Sequence, residues 1–385
     1  MAITIPGGGG SVITFNLSNA SSALVNYSQD FADAVEKPGD ISFLPVESAE
    51  EGGLNIFSSG DSISTTLTQG SQYTYIAAAS PSFLFLANSN ETVAAGALAT
   101  VVEQGNVGGE RVIFIDGNNT FDGSSTGVGG DTIIGGTGYD TINTGVGATT
   151  VYGGYNTSIT LNDSASGAGD VVALTEAGDT VYAIGAADTI YAAATSTVDG
   201  GSNFFTLVTQ STALSLTVNA GTGAGVVVIS AGNDVTYNSD GGGGLGVIVG
   251  GAGNETLQGA GATSGFVFFA DPLASDAGTI NVTGGVGFDY FQTGAGTENY
   301  TAGSGTAEFS ITSVSGGASI TISDFNSFDS VNFLGLGTTE ETALLANQDK
   351  SVGSASTAGG NLTVTLTDGT TVQFVGVTSL GGHLY

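Results

Sequence analysis

The chain has 385 residues, of which 65 are glycine, 40% are apolar and none is cysteine, and 35 Asp and Glu against 3 Lys and Arg leave a formal net charge of −32. That charge makes nucleic acid and anionic membrane surfaces poor partners, and no apolar run reaches the roughly 18 residues that a bilayer-spanning helix requires. Disulfides and thiolate metal sites are excluded, yet the apolar fraction is too high for a disordered tail, so the chain is expected to fold and to use cations against its own repulsion.

At the start, Ala2-Ile3-Thr4-Ile5 reads as a short strand and Gly7-Gly8-Gly9-Gly10 as a flexible linker, with pairing of that strand onto a neighbouring subunit as the alternative. No basic residue and no secretory apolar run opens the chain, so an export signal is expected elsewhere than at the N-terminus. Residues 22–36 carry a helical pattern, with Leu24, Phe31 and Val35 on one face and Pro38-Gly39 as the stop. The alternation Ser62-Ile63-Ser64-Thr65-Thr66-Leu67-Thr68 and the dense run Phe83-Leu84-Phe85-Leu86 predict strands, and residues 1–115 together predict an N-terminal β-rich domain.

From about residue 124 to about residue 310 a nine-residue rhythm of glycine, acid and apolar residue takes over. Its clearest copy, Gly135-Gly136-Thr137-Gly138-Tyr139-Asp140-Thr141-Ile142-Asn143, matches the glycine-rich nonapeptide of calcium-binding β-solenoids in full. In the first block Asp131, Asp140 and Thr149 hold the acidic position, with Ile133, Ile142 and Val151 two residues on. Asp170, Asp179 and Asp188 continue the interval with Val172, Val181 and Ile190, though with fewer glycines. A third block reads Gly225, Asp234, Gly246 and Glu255 at the acidic position, and a last one reads Asp289, Glu298 and Ala307, followed by Phe291, Tyr300 and Phe309.

Each nonamer predicts a short strand and a tight turn, with two nonamers per coil and coils about 4.8 Å apart. Glycine carbonyls and the acid would face the gap between coils, which suits a cation taking six to eight oxygen ligands, while the apolar residue fills a thin core. The aromatic replacements in the last block imply a wider or capping part of the array, and Phe204-Phe205 and Phe266-Val267-Phe268-Phe269 read as core or packing between coils. At the C-terminal end Ser319-Ile320-Thr321-Ile322 predicts a strand, residues 340–347 a short helix, and Asn361-Leu362-Thr363-Val364-Thr365-Leu366 with Thr371-Val372-Gln373-Phe374 a hairpin turned at Asp368-Gly369.

The nonamers, together with Ile322-Ser323-Asp324-Phe325-Asn326-Ser327-Phe328-Asp329-Ser330-Val331 and the hairpin around Asp368, resemble the RTX proteins that bacteria export by type I secretion. The likeness covers about residues 120–385 and leaves residues 1–115 aside. It implies a parallel β-roll with calcium in its turns, an uncleaved C-terminal export signal read by the type I apparatus, and folding after export into the extracellular space. Thr149, Gly225, Gly246 and Ala307 depart from the pattern, so some coils are expected to be dry.

The expected fold is therefore all-β: a parallel β-roll or β-solenoid over residues 116–310, an N-terminal β-rich domain over 1–115 and a C-terminal β cap over 311–385. The candidate calcium ligands are Asp131, Gly136, Gly138, Asp140, Asp170, Asp179, Asp188, Asp234, Glu255, Gly285, Gly287, Asp289 and Glu298. The plainer reading of these acids is that each ties a turn through side-chain to backbone hydrogen bonds. No catalytic constellation is expected: His383 stands alone near the C-terminus, and Lys37, Arg111 and Lys350 lie outside the repeats. Three functional readings stay open. They are a secreted, non-enzymatic calcium-binding structural protein that self-associates into a surface layer, fibre or biofilm matrix; an adhesin whose N-terminal domain binds a cell-surface glycan; and a polysaccharide-active enzyme.

Overall fold

A computed structural model describes the strand backbones of residues 2–6, 12–16, 41–43, 54–57, 64–67 and 73–76, and residues 81–385 apart from 163–168, 186, 210–213, 224, 229–232, 240–245, 272–277 and 348. The helical pattern at residues 22–36 and the Gly7–Gly10 run lie outside the described residues. The protein is a parallel β-solenoid, and contacts divide it into two compact units, Met1–Thr197 and Val198–Tyr385.

In the first unit Ala2–Pro6 pairs antiparallel with Val12–Asn16 of the same chain, so the N-terminal strand finds its partner locally. The rest of the unit coils. One parallel sheet runs Ile41–Phe43, Leu54–Phe57, Tyr73–Ile76, Thr92–Ala95, Arg111–Phe114, Asp131–Ile134, Thr149–Gly153, Val171–Leu174 and Asp188–Ala192. The other runs Ser64–Leu67, Ser82–Leu86, Ala99–Glu103, Thr120–Asp122, Thr141–Asn143, Ser158–Leu161 and Asp179–Ala183. From Leu54–Phe57 to Asp188–Ala192 successive strands alternate between the sheets, so each of these coils contributes one strand to each.

The register stacks like on like. Val93, Val112, Ile133, Val151, Val172 and Ile190 are mutual partners along the first sheet, and Leu84, Val101, Phe121, Ile142, Ile159 and Val181 along the second. All twelve are 0% exposed. Because side chains alternate along a strand, these inward rows fix the register: a slip by one residue would turn each row to solvent. Residue 115 marks no change of architecture, since Arg111–Phe114 pairs parallel with both Thr92–Ala95 before it and Asp131–Ile134 after it. The coils before it lack the glycine-aspartate signature but keep the inward apolar residue, which is all that stacking requires.

In the second unit one sheet runs Phe205–Thr209, Gly225–Val228, Gly246–Val249, Phe266–Phe269, Phe288–Gln292, Thr306–Thr312 and Ser330–Leu334. The other runs Ser215–Asn219, Asp234–Asn238, Glu255–Gln258, Thr279–Thr283, Gly296–Thr301 and Ala318–Ser323. Thr371–Phe374 continues that sheet in parallel, and the predicted hairpin with Asn361–Leu366 and then Gly353–Ala358 closes it antiparallel. The helix Thr338–Asn347 sits in the loop between the sheets.

The inward rows here are bulkier. Ile248, Phe268, Phe291 and Phe309 follow one another in one sheet, and Leu257, Val282, Tyr300 and Ile322 in the other. The rings of Phe291, Tyr300 and Phe309 meet across the core with centroids 5.1 to 5.9 Å apart, and Phe325 joins Phe309 to Phe374 and His383 in the C-terminal cap.

One nonamer is out of register with its reading. In residues 229–237 Asp234 and Thr236 are exposed, while Val235 and Tyr237 point inward and pair with Glu255 and Leu257. The burial of the Tyr237 ring outweighs the aspartate rhythm, and Val235 takes the slot that Glu255 fills one coil later.

The inward rows carry the stability. Ile142→Ala should cost about 3 kcal/mol in urea unfolding, whereas Thr141→Ala, on the outer side of the same strand, should stay within about 0.5 kcal/mol.

Candidate metal centre

The acidic positions are not on the surface. Asp131, Asp140, Asp170, Asp179, Asp188, Glu255, Asp289 and Glu298 are each at most 2% exposed and lie two residues ahead of an inward side chain, the first six at or just before the start of a strand and Asp289 and Glu298 as the second and third residue of theirs. At such a start the N–H of the preceding coil points at the side chain stacked on it, and a buried N–H requires an acceptor. The side chain provides it. Asp131 Oδ1 accepts from Glu110 N at 2.9 Å, Asp170 Oδ1 from Thr149 N at 2.7 Å, Asp179 Oδ1 from Thr157 N at 2.8 Å and Asp188 Oδ1 from Asp170 N at 3.0 Å. Asn119 shows that the slot asks for an acceptor and not for a charge: its Oδ1 takes Ala99 N at 2.9 Å, while its own N–H goes to Asp140 Oδ1 at 2.9 Å.

A second, local bond explains the glycine rhythm. The second residue of the nonamer donates its N–H to the acid four residues on: Gly136 to Asp140 at 2.7 Å, Gly251 to Glu255 at 2.6 Å, Gly285 to Asp289 at 2.6 Å and Gly294 to Glu298 at 2.7 Å. None of Gly136, Gly138, Gly285 and Gly287 has a positive φ. They are glycines because the coils touch there: a Cβ at Gly138 would lie 1.9 Å from Gly117 O, and one at Gly136 would lie 2.5 Å from Phe114 O. The carbonyls of Gly136, Gly285 and Gly287 accept N–H groups of the next coil, from Tyr155, Ser304 and Thr306. Asp140, with both oxygens bonded, and Glu298, bonded to Gly294 N and Tyr300 Oη, are saturated by protein donors. Asp234, by contrast, bonds Asn254 at the exposed surface.

Three acids do converge. One carboxylate oxygen from each of Glu103, Glu110 and Asp131 lies within 4.8 Å of the others, and among the described residues no other group of three possible metal-binding side chains does so. Glu103 ends the strand Ala99–Glu103, while Glu110 and Asp131 occupy the same slot in successive coils, ahead of Val112 and Ile133. All three are buried, at 6%, 0% and 2% exposure. Glu103 Oε2 accepts from Ser124 N at 2.9 Å and Glu110 Oε2 from Asn90 N at 3.1 Å, but Glu103 Oε1 and Glu110 Oε1 have no donor. The repeat pattern singles out only Asp131 of the three. The signal that finds Glu110 is Gly105, Gly108 and Gly109 followed by an acid two residues before an inward valine; Glu91 ahead of Val93 keeps the acid and the valine without the glycines.

Burial makes these acids hold protons. It pushes Glu110 up to about 7, against the pull of Asn90 N–H, and it raises Glu103, further lifted by the negative charge of Asp131. Asp131 is raised by burial as well, opposed by N–H donors. Asp179, Glu255 and Glu298 reach about 7 for the same leading reason. The oxygen set of the triad fits a hard divalent cation: ligands on opposite sides of calcium, each about 2.4 Å from it, stand about 4.8 Å apart. The two oxygens without donors are those that such an ion would satisfy.

Comparison with protein-family models, with curated proteins and with solved structures returns no match for the chain.

Two outcomes follow from this geometry. Asp140→Ala leaves the N–H groups of Gly136 and Asn119 without an acceptor and should cost about 2 to 3 kcal/mol in urea unfolding, while Asp140→Asn should cost about 1 kcal/mol or less. In chelator the folded chain keeps protons on Glu110, Asp179, Glu255 and Glu298 up to about pH 7, whereas the unfolded chain releases them near the ordinary values of 4.5 for Glu and 3.8 for Asp. The stabilisation is complete below those unfolded values and is lost as pH rises through about 7, so calorimetry in EDTA should show Tm falling from pH 5 to pH 8.

Proposed function

We propose that this chain is a secreted, non-enzymatic structural protein that uses calcium to complete its fold and associates with itself into an extracellular layer, fibre or matrix. The observation that carries the reading is the buried Glu103, Glu110 and Asp131 group with its two donorless oxygens. Protons or a cation must occupy it, and a divalent cation replaces mutual repulsion with attraction at pH values where protons leave. Binding only to the folded state would add about 2.7 kcal/mol at a calcium concentration a hundred times the Kd. An affinity of about 0.1 to 1 mM, typical of extracellular modules, would leave the site empty in a cytosol and fill it outside.

The structural side of the reading is supported by what the polar groups do. His383, the single histidine, donates from Nδ1 to the Asp329 carbonyl at 2.8 Å and meets Phe325 edge-on, a role in the cap. Asp140 and Glu298 are occupied by the chain's own N–H and O–H donors. Export by a type I apparatus belongs to the same proposal and rests on the resemblance of the C-terminal segment.

Titration calorimetry and circular dichroism of the chelator-stripped chain test it. Calcium should bind saturably in the range of about 0.1 to 1 mM, raise Tm at pH 8 and increase the sedimenting mass, and Glu110→Gln should weaken binding at least about tenfold. If chelation changes neither Tm nor sedimentation, the reading is wrong.

A further inference from the structure

The two outer faces of the Val198–Tyr385 unit differ in kind. On the sheet containing Ser215–Asn219 through Gly296–Thr301, the outward rows read Thr217, Thr236, Thr256, Asn281, Asn299 and Asn219, Asn238, Gln258, Thr283, Thr301. On the opposite sheet the outward positions of three successive coils are Val247, Val249, Val267, Phe269, Phe288, Tyr290 and Gln292, all apolar but the last. Val247, Val267 and Tyr290 are register partners, as are Val249 and Phe269, and the Phe269 and Tyr290 rings sit 5.7 Å apart. Phe288 is 51% exposed and Val249 37%. An outward sheet face ordinarily alternates with polar residues, so a contiguous apolar face of this extent marks an interaction surface.

We infer that this apolar face pairs with the same face of a second copy of the chain. The inference rests on the proposed self-association and gives it a place. The occupant follows from charge. A molecule with 35 acids and 3 basic residues repels its own copies wherever carboxylates meet, and the rows from Val247 to Tyr290 hold no charged side chain until Glu308 in the following coil. A basic partner would be drawn to the acidic remainder of the surface and gains nothing from this face. A two-fold pairing sets uncharged against uncharged, sheet on sheet, as self-complementary interfaces do. Three strands about 4.8 Å apart and about 16 Å long give roughly 230 Å² per copy, or about 460 Å² in the pair, below the 1,200 to 2,000 Å² of stable complexes. The pairing is therefore weak and concentration-dependent, a lateral contact within a larger array.

Sedimentation velocity over a concentration series, with calcium and with EDTA, tests it on Val249→Glu, Val249→Lys and, as a control for added charge, Thr256→Glu on the polar face. Circular dichroism checks that each variant keeps the wild-type fold. Wild type and Thr256→Glu should associate alike, Val249→Glu and Val249→Lys should each associate at least about tenfold more weakly, and an equal mixture of those two should regain association through attraction across the face. If both Val249 variants associate as wild type does, this face is not the contact, while self-association itself stands. If wild type stays monomeric at every concentration in both conditions, the self-association reading and this inference fall together. Flotation of wild type, but not Val249→Glu, with phosphatidylcholine vesicles would assign the face to lipid and overturn the pairing.

Discussion

Parallel stacking in register places every side chain on its counterpart from the coil before. For apolar residues this is favourable without further arrangement, since a row such as Ile133, Val151, Val172 and Ile190 buries itself. For acids it is a constraint. Two stacked carboxylates about 4.8 Å apart repel by about 3 kcal/mol at an effective dielectric constant of about 20. The strand-start slot of the first unit reads Glu91, Glu110, Asp131, Thr149, Asp170 and Asp188 in succession, and the corresponding slot of the other sheet reads Ala99, Asn119, Asp140, Thr157 and Asp179. Neutral Asn119, Thr149 and Thr157 interrupt the acids. Departures from the repeat consensus thus act as spacers that keep the column from accumulating charge.

The same constraint explains why the buried acids survive at all. Each satisfies an N–H of the coil before it, which an aliphatic side chain would leave unpaired, so the acid is retained for its oxygen at the expense of its charge. Where Asn119 interrupts the column, N–H donors reach both oxygens of Asp140, although Asp179, stacked on Thr157, keeps one oxygen without a donor. Where Glu110 and Asp131 stack directly and Glu103 reaches in from the other sheet, donors run short and two oxygens are left over. The candidate centre is the point at which the acceptor role and the repulsion cannot both be met by the protein alone.

This division also governs how much of the molecule was legible in the sequence. The inward residue two positions after each acid was readable because it needs no context: Ile133, Ile142, Val172, Phe291 and Tyr300 all lie in the core. The nonamer boundaries failed at residues 229–237, where the Asp234 rhythm competed with the Val235 and Tyr237 alternation and burial of the ring prevailed. The coils of Val93 and Leu84 were not readable as coils, because they stack without the glycines that give the later repeats their signature. Glu110 has them in Gly105, Gly108 and Gly109 but precedes the stretch in which the rhythm recurs, and Glu103 ends a strand instead of opening one. The glycines themselves were legible, and their work is divided: Gly136 and Gly285 serve contact between backbones and offer an N–H to the acid four residues on, while Gly129, Gly130, Gly145 and Gly303 take the left-handed φ of a turn.

The two units then pose complementary problems for any assembly. The first concentrates buried acid, so its packing depends on what neutralises Glu103, Glu110 and Asp131. The second replaces aliphatic stacking by Phe268, Phe291 and Phe309 and turns valine and aromatic side chains outward on one sheet only. A chain carrying −32 charges can bring copies together only where its surface is uncharged, and hydrophobic contact of about 460 Å² is too small to overcome that repulsion unaided. On the proposed reading, cation binding and apolar contact depend on each other: a divalent ion would lower the charge that opposes association, and association would supply the burial that Val249 and Phe288 lack.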